Sequence, residues 1–171
     1  MIAKSLDIVV LLKLLSKPEK VPYAELSKEL FISASEIHAA FRRSIAAGLI
    51  AEGTREPRRR ALQDYLIHGV AYAFPAAPGR VARGVPTAYA APPLSRQISA
   101  DDLPPVWADP DGTVKGYSIE PLYISVTSAI KKDQALYELL ALVDTLRIGR
   151  ARERRLAEEE IKHRLSHAHA A

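Results

Sequence analysis

Cysteine is missing from this chain altogether, which excludes a disulfide framework, a thiol nucleophile and a thiolate metal site. Long apolar runs are missing as well, since no stretch reaches the roughly 18 uninterrupted apolar residues that a spanning helix needs. The opening MIAKSLDIVVLLKLLSKPEK has the lysine and apolar run of a secretory signal, but Asp7 and Lys13 interrupt it and no small-residue cleavage site follows. It reads as a helix of a soluble, cytoplasmic protein with no membrane partner. An acidic excess is also lacking, because the formal net charge is +4.

What is present is enough for a core: 48% of the 171 residues are apolar, so one ordinary domain or a small domain with an added helical region is affordable. The charge is uneven, at +4 over residues 1–60, −2 over 61–122 and +2 over 123–171. Between residues 42 and 60 six arginines, Arg42, Arg43, Arg55, Arg58, Arg59 and Arg60, face only Glu52 and Glu56. A field of that sign attracts a polyanion.

The N-terminal third divides into helical pieces. Ser5 is expected to cap a helix to about Ser16, with Ile8, Leu11, Leu12 and Leu15 at helical spacing and KPEKVP as the break. Pro22 suits the first turn of a second helix, with Ala24, Leu26 and Leu30 inward and Glu25, Lys28 and Glu29 outward. After a short apolar turn at Phe31-Ile32, Ser33 and Glu36 form a capping-box pattern that restarts the helix. Its 3.6-residue period places Ile37, Ala40, Phe41, Ser44 and Ile45 on one side, and Ser35, His38, Ala39, Arg42 and, nearer the edge, Arg43 on the other. Small residues let a helix backbone sink into a groove, and arginine reaches a guanine edge or a phosphate.

The stretch YAELSKELFISASEIHAAFRRSIAAGLI, stopped at Gly48, resembles the helix-turn-helix of winged-helix transcription regulators of the MarR-like kind, which read LA.EL..S.S.V...L..L...GLI. The resemblance covers roughly residues 5–56. It implies a DNA-binding domain whose third helix, residues 33–47, lies in the major groove of double-stranded DNA. The wing is expected to be short or absent, since AEGTREPRRRALQDYLIHG allows only a stub from Ile50 to Arg55 before Pro57 opens a fourth helix with Leu62, Tyr65 and Leu66 inward. Cations at a helix N-terminus oppose the macrodipole, so Arg58, Arg59 and Arg60 there are read as phosphate contacts.

Most of the twelve prolines fall between residues 69 and 122, where irregular loops and brief strands are expected. VWADPDGTVKGYSI reads as a hairpin about Asp-Pro-Asp-Gly. Helical periodicity then returns: DQALYELLALVDTLRIG starts at an Asp133 cap and carries Leu136, Leu139, Leu140, Val143 and Leu146 as a wide stripe, read as a homodimer interface. The charged RARERRLAEEEIKHRL follows as an exposed helix resting on Leu156, Ile161 and Leu165, with SHAHAA as a frayed end. The expected class is therefore mainly α with a small β component: a helix-turn-helix domain (1–68), a Pro-rich middle with a hairpin (69–122) and C-terminal helices for dimerisation or a partner (123–171).

No chemistry beyond binding is expected. His163 and His167 are four apart but lack a third ligand, and the turn accounts for Asp109 and Asp111 without a calcium site. GRVARG lacks the lysine and hydroxyl of a phosphate loop, and neither His38 nor His68 has a nucleophile or orienting acid at useful spacing. Neither cofactor nor metal is implied. The alternative to a DNA-binding regulator is a protein-interaction module. The layout is similar to antitoxins of bacterial abortive-infection systems, which join a DNA-binding N-terminal domain to a part that neutralises a toxin.

Overall fold

The computed structural model describes residues 3–17, 20–99 and 102–167. Of the expected breaker, Pro18 and Glu19 fall outside these residues, as does the tail from 168 on. The architecture is mainly helical with a small β component: α1 (Ser5–Ser16), α2 (Tyr23–Leu30), α3 (Ala34–Ala46), α4 (Arg59–His68), α5 (Val70–Ala73), β1 (Val81–Pro86), β2 (Pro105–Ala108), β3 (Val114–Ser118), α6 (Val126–Ala129), α7 (Gln134–Ile148) and α8 (Ala151–His167). No described helix is long and apolar enough to cross a membrane.

Local chemistry sets most helix ends. Asp133 caps α7 by accepting the Leu136 N–H at 3.0 Å. At α1 the cap is Lys4, one residue earlier than the hydroxyl of Ser5 suggests, because the Asp7 carboxylate accepts the Lys4 N–H at 2.9 Å. Pro57 does not open α4. It pairs with Ile50 in an isolated bridge, and the helix begins two residues later.

α7 is buried on nearly every side, from Leu136 through Arg147, as a helix at the centre of a fold is. It packs against α1, α4, α5, α8 and the 3₁₀ turn at residues 88–90. This corrects the dimer assignment: Leu136, Leu139, Leu140, Val143 and Leu146 are all buried within their own chain. The stripe is wide because it has several neighbours of its own, and none of it is left for a symmetry mate. The three stretches distinguished by composition likewise share one core, in which Leu11 and Leu30 belong to the same cluster as Trp107, Leu140 and Ile161.

The Pro-rich middle is pinned onto α7 by a buried polar group. Asp144 Oδ2 accepts from Thr87 Oγ1 and Trp107 Nε1, both at 2.7 Å, and its Oδ1 accepts from Arg147 Nη1 at 2.8 Å. Arg147 also donates to the Phe74 and Glu120 carbonyls, at 2.8 and 3.1 Å. Burial pushes the Asp144 carboxyl up, against the Arg147 charge and the two neutral donors. The same inward pull on Trp107 replaces the expected hairpin. β2 and β3 both pair antiparallel with β1, and run parallel to each other. The Asp109 turn does form, with the Asp111 N–H on Asp109 Oδ1 at 2.9 Å, but it carries the chain across β1 at Gly84, whose Cα partners are Ala108 on one side and Val114 on the other. Only glycine permits this crossing, because a Cβ on Gly84 would overlap the Trp107 carbonyl.

A second polar cluster ties α1 to α2 and α7. The buried Lys13 ammonium lies 2.7 Å from Glu29 and is also paired with Asp133, while Lys17 meets the other Glu29 oxygen at 2.7 Å. Glu29 is thus half-buried against α1 instead of facing outward, and Ala24 takes the exposed position. Burial by itself raises the Glu29 pKa, but hydrogen bonds from Lys13 and Lys17 outweigh it and hold the carboxyl down to about 2. Because this pKa lies below the ordinary 4.5, unfolding takes up a proton between the two values. The stabilisation is therefore complete above about pH 4.5 and is lost as pH falls toward about 2. Glu29→Gln is expected to lower stability at neutral pH and to flatten the acid limb of urea midpoints across that window. A mutant limb parallel to the parent's would assign the acid sensitivity to other carboxylates.

Candidate nucleic-acid interface

The candidate site is built on α2, α3 and the turn between them. Phe31 closes α2 in the left-handed region (φ 54°, ψ 42°), its N–H on the Ser27 carbonyl, and the Ile32 N–H returns to that same carbonyl at 3.2 Å, satisfying an acceptor near the helix end. Ile32 is buried one residue before the Ser33 cap, and Ile37 is buried four residues after that cap, the positions of a hydrophobic staple. Ser33 Oγ accepts the Glu36 N–H at 3.3 Å. The Glu36 carboxylate does not complete the capping box toward the Ser33 N–H. Its Oε2 accepts the Tyr123 hydroxyl at 3.2 Å, and burial together with that carboxylate pushes the Tyr123 hydroxyl up. At the other end Gly48 adopts φ 75°, the conformation a glycine stop supplies at least cost.

The helical period sorts α3 much as the sequence suggests. Ile37, Ala40, Phe41 and Ser44 are buried, whereas Ser35, His38 and Arg42 are exposed and Ala39 is half-buried. The His38 ring leans on Tyr23, with centroids 4.1 Å apart. Arg42 makes no hydrogen bond or ion pair with any other described residue.

Arg43 does not belong to this face. Its Nε lies 2.9 and 3.1 Å from the two Asp7 carboxylate oxygens and its Nη2 lies 2.7 Å from Oδ1, with Asp7 fully buried. The Asp7 hydrogen bonds raise the Arg43 pKa. The physical reason is that a carboxylate buried beneath α3 needs a cation, and Arg43, one residue and about 100° around from Arg42, is turned toward it.

The four remaining arginines divide by what already holds them. Arg55 stacks its guanidinium 3.9 Å above the Tyr23 ring and donates to the Val21 carbonyl at 3.0 Å, so it braces the turn after α3. Arg59 donates to the Leu165 carbonyl at 3.3 Å. This places a cation at the C-terminal end of α8, where the dipole favours it, and offsets the unfavourable position at the start of α4. Burial lowers the Arg59 pKa, against the Glu56 charge. Arg58 is exposed and reaches the Gly48 carbonyl at 3.4 Å, at the C-terminal end of α3. Arg60 is 85% exposed and has only a 3.4 Å contact with Asp64. Of the six arginines, those left facing solvent are therefore Arg42, on the same helix as Ser35, His38 and Ala39, and Arg58 and Arg60 at the start of α4.

Where a stub from Ile50 to Arg55 is expected, the chain forms an isolated Ile50–Pro57 bridge with a turn between the two residues. Among the described residues no three His, Cys, Asp or Glu side chains are grouped to hold a metal ion, although the His167 side chain lies outside them. Sequence reasoning placed Phe31 in a short apolar turn without expecting it to be 63% exposed. Its signal was available, as a phenylalanine standing where a helix stop ordinarily takes glycine or asparagine. No family model, curated protein or solved structure matches the chain.

Proposed function

We propose that the chain is a sequence-specific DNA-binding transcriptional regulator that lays α3 in the major groove and holds flanking phosphates with Arg58 and Arg60. The observation that carries this reading is the division of labour on α3. One arginine pairs with the buried Asp7, whereas the solvent-facing surface keeps Ser35, His38 and Ala39 small or polar on the same helix as Arg42, which pairs with no other described residue. A small, cationic helix face suits a groove lined by base acceptors and rimmed by phosphates. It does not suit a helix whose only task is packing.

The two kinds of contact predict different behaviour. Using a duplex enriched from a randomised pool, Arg42→Ala should cost about 1–3 kcal/mol on the selected site and relax preference at one position. Arg58→Ala should weaken binding to every sequence alike and make the salt dependence shallower by about one unit. Fluorescence anisotropy on selected and scrambled duplexes at several salt concentrations separates them. Equal losses on both duplexes for Arg42→Ala would remove the base-reading role.

A further inference from the structure

Resting on the DNA-binding reading, we infer that Phe31 is a second specificity element, its ring packing on a thymine methyl at the edge of the groove entered by the first turn of α3. Three observations lead there. Phe31 holds a left-handed backbone conformation (φ 54°) that a side chain of its bulk rarely adopts. Its ring remains 63% exposed, so burial does not explain its presence. The staple at this turn is already supplied by Ile32 and Ile37, both buried. The fold therefore tolerates a bulky residue in an unfavourable conformation while leaving most of its surface to solvent.

The position names the occupant. Phe31 lies in the turn that leads into α3, with exposed Lys28 one helical turn before it and exposed Ser33 and Ser35 just after. An apolar ring flanked by a cation and hydroxyls fits the lip of the major groove, where the thymine 5-methyl is the apolar feature and phosphates lie alongside. A protein partner would use the surface differently. Tyr123, bonded to Glu36, brings the 85% exposed Ile124 to the same end of α3, and such a partner would cover both apolar side chains.

The test is a methyl-deletion cycle on the full chain. In the duplex enriched by the parent protein, each thymine is replaced in turn by deoxyuridine. One position should weaken parent binding about fourfold, the effect of a single buried methyl. Phe31→Ala should weaken binding to the unmodified duplex by about tenfold and show no further loss at that position. Phe31→Gly, which relieves the backbone, should bind as weakly as the alanine variant while melting about 2–4 °C higher, showing that the lost affinity is not lost folding. Parent-level affinity in Phe31→Ala, or an undiminished deoxyuridine penalty in that variant, overturns the inference and leaves Phe31 and Ile124 to a protein partner. Failure of the parent to enrich any duplex overturns the DNA-binding reading itself, and the inference with it.

Discussion

Asp144→Ala should destabilise the chain by about 3–5 kcal/mol, the scale on which removing one partner of a buried ion pair acts. The substitution strands the buried Arg147 guanidinium and leaves Thr87 Oγ1 and Trp107 Nε1 without their shared acceptor. The loss should be cooperative, because the carboxylate joins α7 to the irregular middle segment at Thr87 and Trp107 and holds the Arg147 guanidinium that bonds the Phe74 and Glu120 carbonyls. Trp107 is the only tryptophan, so its emission reports directly on the site during urea unfolding. Replacing both charged partners, as Asp144→Leu with Arg147→Met, should cost less than the single alanine, since the larger penalty is the unpaired charge. A single mutant within about 1 kcal/mol of the parent would mean that the cluster closes around water and that the middle segment is held by apolar packing instead.

Arg43→Ala should also lower stability by about 3–5 kcal/mol, whereas Arg42→Ala, one residue away, should stay within about 0.5 kcal/mol of the parent. The contrast follows from burial. Asp7 is fully enclosed and loses a three-contact guanidinium partner, while Arg42 gives up only solvent. Removing both charges in Asp7→Asn with Arg43→Gln should recover part of the loss. Urea midpoints for the two single variants and the double variant decide the matter, and they must be known before any DNA measurement on Arg43 is read as a base contact. If Arg43→Ala were as stable as Arg42→Ala, the ion pair would contribute nothing and Arg43 would return to the candidate surface.

The sequence by itself determined features that depend on neighbours three or four residues away. The helical period of α3 and α7, the Ser33 and Asp133 caps, the Gly48 stop and the mainly helical class are all encoded within a turn of the positions they govern. The contents of the candidate face were legible to the same extent, with Ser35, His38, Ala39 and Arg42 placed outward by their phase alone. Tertiary structure decided whatever depended on a partner distant in sequence. The period sets Arg43 nearer the edge than Arg42 but still leaves it on the outward face, and only Asp7, 36 positions earlier, draws it inward. The stripe on α7 carries the same apolar residues whether it meets a second copy or its own chain. Its burial was settled when α1, α4, α5, α8 and the turn at residues 88–90 all came to pack on that one helix. Asp109 specifies a turn, but the direction taken by the strand after it was set by a Trp107–Asp144 hydrogen bond spanning 37 positions and by the missing Cβ of Gly84. A local pattern states which side chains point the same way. What they point at is fixed only when the chain closes, because a buried charge or donor needs its counterpart wherever in the sequence that counterpart lies.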